Sequence, residues 1–259
     1  MDLSIFQIDA FTNRIFGGNP AAIVPLEEWI PDALMQSIAA ENNLAETAFF
    51  VRGTEGYELR WFTPTVEVDL CGHATLATAH LIFSRYEPTS DRVRFLSKSG
   101  WLEVTRAGDR LALDFPSRPP VACAAPPQLA AALGGQPVDV LAARDYLVVL
   151  KTAAAVRALK PDMEKLATLD KFAVIVTAPG EDCDFVSRFF APSQGIPEDP
   201  VTGSAHCTLI PYWSQRLGLR SLFARQVSAR GGELWCEDRD DRVLIAGQAV
   251  LYLQGMIHV

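Results

Sequence analysis

Basic residues are scarce in this chain: 23 Lys and Arg stand against 31 Asp and Glu in 259 residues, a formal net charge of −8. That balance argues against a nucleic-acid partner, which needs clustered cations to neutralise phosphates. An anionic ligand must instead be held by local groups such as backbone amides. Long hydrophobic runs are missing too. Hydrophobic residues make up 49% of the chain, but no stretch approaches the roughly 20 apolar residues that cross a bilayer. Met1-Asp2-Leu3-Ser4 lacks the basic and apolar regions of a secretion signal. The five cysteines (71, 123, 183, 207 and 236) are odd in number and show neither a CxxC pair nor a zinc-type Cys/His spacing. The expectation is a cytoplasmic protein with reduced thiols, no membrane partner and no metal. Gly17-Gly18 lacks the spacing and following helix of a dinucleotide fingerprint, so no nucleotide is expected either.

What the chain does contain is a pattern that occurs twice. Arg60-Trp61-Phe62-Thr63-Pro64 leads through an acidic stretch to Cys71-Gly72-His73-Ala74-Thr75. In the second half, Arg188-Phe189-Phe190-Ala191-Pro192 leads through Glu198-Asp199-Pro200 to Thr202-Gly203-Ser204-Ala205-His206. Each time an aromatic strand ends at a proline, a loop follows, and a glycine opens an apolar helix. Repetition of such a unit predicts two similar domains. It also predicts two helix N-termini, rich in free N–H groups, facing one cleft. Periodicity stops at Pro116-Ser117-Arg118-Pro119-Pro120, which sets domains at 1–117 and 118–259, with the last strand able to pack back on the first.

Strands are expected at 3–11, 21–26, 46–52, 56–62, 92–97, 100–106 and 110–115, with a helix opened by Pro31-Asp32. The helix from Gly72 is apolar nearly all round and should be buried. Afterwards come strands at 144–151, 171–177 and 184–190 and a helix opened by Pro161-Asp162. A second glycine-started helix spans about 203–217, and Pro211 should kink or restart it. Four further strands close the chain. The class is α+β, with one central helix per sheet.

Glu46 follows a helix end and precedes the apolar Ala48-Phe49-Phe50-Val51. It reads either as a solvated charge or cap, or as a carboxylate whose partial desolvation suits it to take and return a proton. His73, beside a helix start, reads as a structural residue or as an imidazole kept neutral by the helix dipole. His80, His206 and His258 read as structural. Asp199 shapes a turn or places a carboxylate at the second helix start. Ser204 is an N-terminal cap or, with the amides of Gly72, His73 and Gly203, an anion ligand.

The chain resembles the phenazine-biosynthesis PhzF-type isomerase family, a branch of the diaminopimelate epimerase-like fold. The resemblance rests on Asp9-Ala10-Phe11-Thr12, Phe16-Gly17-Gly18-Asn19-Pro20-Ala21-Ala22, Glu46-Thr47-Ala48-Phe49, Cys71-Gly72-His73-Ala74-Thr75 and Glu198-Asp199-Pro200-Val201-Thr202-Gly203-Ser204-Ala205. It implies two pseudo-symmetric domains, each a curled mixed or antiparallel sheet around a central helix, with the active site between them. It also implies cofactor-free proton transfer on a small carboxylated substrate, with Glu46 as general acid/base, His73 and Asp199 beside it, and a homodimer. Cys71 departs from the epimerase branch, where each half supplies one thiol. The second half has no cysteine at the matching place, so Cys71 is expected to be packing. The rival readings are a racemase that uses Cys71, and a small-acid-binding protein without turnover.

Overall fold

A computed structural model describes residues 1–259. The chain divides into two compact units, Met1–Asp114 with Ala246–Val259, and Phe115–Ile245.

The first unit carries β1 (Asp2–Ala10), β2 (Asn19–Leu26), α1 (Asp32–Asn42), β3 (Glu46–Arg52), β4 (Tyr57–Phe62) and β5 (Glu67–Val68). Then follow α2 (Gly72–Arg85), β6 (Arg92–Ser97), β7 (Gly100–Ala107) and β8 (Arg110–Pro116). Antiparallel pairing joins β1 to β2, β3 to β4, β6 to β7 and β7 to β8, while β2–β3 and β4–β6 are parallel. The short β5 lies on the end of β4, with Glu67 opposite Phe62. Helix α2 packs on β1, β2 and β3, and His73 through Ala79 are continuously buried, as an apolar circumference demands.

The second unit carries β9 (Val121–Ala122), α3 (Leu129–Leu133), β10 (Asp139–Ala142), β11 (Tyr146–Val149), α4 (Ala153–Ala158) and α5 (Met163–Leu166). After these come β12 (Val174–Pro179), β13 (Phe185–Ala191), β14 (Ile196–Asp199), α6 (Gly203–Leu217), β15 (Ser221–Gln226), β16 (Gly232–Arg239) and β17 (Arg242–Gly247). The pairings repeat those of the first unit: β10–β11 antiparallel, β11–β12 parallel, β12–β13 antiparallel, β13–β15 parallel and β15–β16 antiparallel. Here β14 lies on β13 as β5 lies on β4. The closing strand β18 (Ala249–His258) returns to the first unit, where it pairs antiparallel with β1 from Asp2↔His258 to Ala10↔Ala249.

Helix α6 runs unbroken through Pro211, which corrects the expected restart. Proline removes the N–H that would bond the carbonyl four residues back. That carbonyl, of Cys207, accepts the Arg118 N–H at 2.8 Å instead. Below the helix, Trp213 stacks on Phe185 with ring centroids 5.7 Å apart, and its indole N–H donates to the Thr177 hydroxyl at 2.9 Å. No helix is long and apolar enough to cross a membrane.

Candidate active site

The start of α2 is built on an extended Cys71 (φ −140°, ψ 108°) whose side chain makes no cap. Thr75 supplies the local support: its hydroxyl donates to the Cys71 carbonyl at 2.6 Å. The parallel β2–β3 ladder sets Glu46 opposite Ala21, at the first position of β3, where its carboxylate reaches the helix start. Glu46 Oε2 lies 3.1 Å from His73 Nε2, with side chains only 12% and 6% exposed. The two atoms are close but poorly aligned, and neither has another hydrogen-bond partner.

The other face of the imidazole is bracketed. Asn19 Nδ2 lies 3.2 Å from His73 Nδ1, and Cys71 Sγ lies 3.5 Å from the same nitrogen. An amide serves either charge state of the ring: its NH₂ donates to a bare Nδ1, and its carbonyl accepts from a protonated one. Nε2 therefore keeps a proton towards Glu46 in both.

Burial opposes the imidazolium; the Glu46 carboxylate favours it, as does Cys71 only when it is a thiolate, and the balance holds His73 well above the ordinary histidine range. Burial first, and then the Glu46 charge, push the Cys71 thiol up to about 11. The thiol is thus neutral at pH 7, and Glu46 is the partner that keeps the proton on His73. This corrects the expectation of a histidine made neutral by the helix dipole. A full carboxylate charge at contact distance outweighs the roughly half charge of a helix N-terminus.

The start of α6 has the same backbone form, with Thr202 extended (φ −120°, ψ 101°) at the cap. Its hydroxyl donates to Asp199 Oδ2 at 2.5 Å. Gln226 closes the loop: Oε1 accepts the Thr202 N–H at 2.9 Å, and Nε2 donates to the Asp199 carbonyl at 2.8 Å. Arg144 donates to the Ser204 hydroxyl at 3.2 Å. It is held by a two-point contact with buried Asp145, 3.0 Å at each oxygen, and by the face of Phe172. His206 bonds through Nδ1 to the Thr202 carbonyl at 2.8 Å, and burial lowers it to about 4, so it is neutral.

The structure thus gathers Glu46, Gly72 and His73 at one helix start, with Asp199, Gly203 and Ser204 around the other. Sequence reasoning missed Asn19, Arg144 and Gln226 as participants. For Asn19 a signal existed: a polar residue leaves the Gly17-Gly18 turn and enters a strand that is buried at that point. One donor set deserves naming, since Glu46, Cys71 and His73 each offer a ligand atom within 4.8 Å of the others.

Residues 8–255 match the family model described as phenazine biosynthesis-like protein. An uncharacterized isomerase of Pseudomonas aeruginosa is 55% identical over 260 residues, covering all of both chains. A crystal structure of a PhzF-family phenazine biosynthesis protein from Enterococcus faecalis superposes with a TM-score of 0.98 at 48% identity, again over both whole chains. A hydroxyproline epimerase from Agrobacterium vitis, solved with trans-4-hydroxy-L-proline, shares the fold at a TM-score of 0.63 and 9% identity, over 99% of this chain and 92% of that one. The architecture is the two-domain α+β fold of the epimerases.

Proposed function

We propose, from the premise that this chain belongs to the phenazine biosynthesis-like family and is an isomerase, that Glu46 is its general acid/base. Glu46 takes a proton from an activated carbon of a small carboxylated substrate and returns it to another carbon. The observation that carries this reading is the Glu46–His73 contact of 3.1 Å in a nearly dry setting. His73, protonated at Nε2, steadies the carboxylate while it waits as a base. When the substrate proton arrives on Glu46, the carboxylic acid itself returns it to the second carbon, and a group that both accepts and donates is what migration of one proton requires. We assign Gly72, Gly203 and Ser204 to the substrate's anion, through amide N–H groups and the Ser204 hydroxyl. We assign Asp199 to orienting the substrate. The scheme draws on the chain's own groups alone, and we place the enzyme in the cytoplasm as a homodimer.

The thiol racemase reading is disfavoured by two observations. Cys71 is a buried neutral thiol, and the equivalent cap position in the second unit is Thr202. The test is solvent deuterium incorporation over a panel of small amino, hydroxy and unsaturated acids, with Glu46→Gln as the control. Exchange that survives in the folded Glu46→Gln protein would remove Glu46 from the mechanism. Exchange that stops with Cys71→Ser instead would transfer the role to the thiol.

A further inference from the structure

The same corner of α2 holds an imidazole, a thiol and a carboxylate in one buried group, and that donor set has a chemistry of its own. Each of Glu46, Cys71 and His73 offers one ligand atom within 4.8 Å of the other two. Glu46 Oε2 and His73 Nε2 are 3.1 Å apart, yet both are buried without a formed hydrogen bond. Two polar atoms left in that condition, a carboxylate oxygen with a lone pair at hand and an imidazole nitrogen that gains one on losing its proton, are what a bridging cation satisfies. Tetrahedral zinc, with bonds of about 2.0–2.3 Å, sets its ligand atoms roughly 3.3–3.7 Å apart. The carboxylate and the imidazole are already near that spacing, and the Cys71 sulfur, 3.5 Å from Nδ1 of the same ring, lies in the group whose ligand atoms fall within 4.8 Å of one another.

We propose that Glu46, Cys71 and His73 form a binding site for a thiophilic divalent cation, zinc above all, and that the bound ion switches the enzyme off. The donor set selects the ion. Magnesium and calcium seek six or more oxygens, and one carboxylate is present here; sulfur with imidazole favours zinc and its spectroscopic substitute cobalt. Charge closes as well, since a thiolate and a carboxylate neutralise a dication in a site where net charge would be costly. On binding, the Cys71 thiol and the His73 Nε2–H each release a proton. Nδ1 keeps its hydrogen, and the Asn19 side chain, whose Nδ2 lies 3.2 Å from Nδ1, would present its carbonyl to that hydrogen once the amide turns over, as the outer-shell partner that metal-bound histidines require. The fourth position stays open to water. Inhibition rests on the acid/base reading above, because the ion takes the Glu46 oxygen and the His73 nitrogen that the reaction uses; binding itself does not depend on it.

The experiment titrates chelator-treated full-length protein with Co²⁺, without thiol reductants. We expect a single equivalent to bind with an intense near-ultraviolet thiolate-to-cobalt band that Zn²⁺ abolishes. The band should be missing in Cys71→Ser and Cys71→Ala, two variants so that one misfolding leaves the other. His73→Gln should weaken binding by more than the roughly 10–100-fold typical of losing an outer-shell partner. In parallel, Zn²⁺ should stop deuterium exchange and a chelator should restore it. A wild-type protein without the thiolate band, or a band that persists in both Cys71 variants, overturns the site. A band together with full exchange in Glu46→Gln leaves the site standing and removes the acid/base reading. Zinc bound with exchange undiminished overturns the inhibition.

Discussion

In the first unit Arg60 grips Glu67 through contacts of 2.7 and 3.0 Å, and in the second Arg188 grips Glu198 at 2.7 and 2.8 Å. Each guanidinium also lies over a phenylalanine of its own strand, Phe62 at 5.2 Å and Phe190 at 4.8 Å. Each cap carbonyl is bonded by a side chain four residues on, Thr75 to Cys71 and His206 to Thr202. The frames match to that degree, and the groups they present do not. Ladder register makes Glu46, one residue before the partner of Phe62, the counterpart of Ala173, one residue before the partner of Phe190. His73 gives way to Ser204, Cys71 to Thr202, and Asn19 on the imidazole to Arg144 on the serine hydroxyl. The first unit presents a carboxylate, an imidazole and a thiol in contact; the second presents a guanidinium and hydroxyls beside the Asp199 carboxylate, which accepts from Thr202. Residues that hold ladder and helix start were kept, while the side chains projecting from them diverged.

The sharpest way to break this comparison is Glu46→Gln, which makes the first unit as inert at this place as the second is with Ala173. Turnover should fall by about 10²–10⁴-fold with the thermal midpoint little changed. Unaltered turnover would mean that the asymmetry is not where the chemistry resides.

His206→Thr gives the second helix start the support that Thr75 gives the first. In the wild type, His206 falls from an ordinary value near 6.5 to about 4 on folding. The unfolded chain then takes up the proton first, so stability is lost as pH drops from about 6.5 to 4, by about 3 kcal/mol at the limit. His206→Thr should lower stability at pH 7 through lost volume but flatten that window. Denaturant melts from pH 7 to pH 4 measure both, and an equally steep loss in the variant would discredit the assignment.

Ser204→Ala tests the second unit's share. If the hydroxyl holds the substrate anion, KM should rise by roughly 10-fold, the scale of a hydrogen bond to a charged group, with kcat much less affected. A fall in kcat alone would assign the second unit a chemical role instead. Cys71→Ser should do least: exchange within a few-fold of wild type, and a stability loss of roughly 1 kcal/mol from a buried hydroxyl without a good partner. A loss as deep as that of Glu46→Gln would make the thiol a participant and bring back the racemase.

Much of this was legible in the sequence because it is local. The two Gly-started helices declare themselves by an apolar run after a proline-ended strand, and β3, β4, β6 and β13 by β-branched and aromatic residues between turn signals. Helices α3 and α4 are too short for a 3.6-residue period to show and sit in alanine-rich stretches. Asn19 meets His73 across 54 residues, and Arg144 meets Ser204 across 60; neither pairing leaves a trace in local pattern. The raised His73 proton affinity leaves no local trace for the same reason. A helix start is visible in sequence, and the carboxylate that overrides it arrives from another strand.

The pairing of β18 with β1 also dictates an order of events at the ribosome. Strand β1 is synthesised long before the partner on its outer side, from Ala249 to His258. At about 5–20 residues per second, that edge waits on the order of ten seconds or longer with its N–H and C=O groups unpaired. Residues 115–245 can meanwhile collapse as a unit. The half with the earlier sequence is therefore the later to finish its sheet, and its open edge is a template for mispairing during that interval. Slower translation through residues 115–245 would lengthen the exposure, so yield of folded protein should be more sensitive to chaperone supply than the stability of the finished molecule suggests.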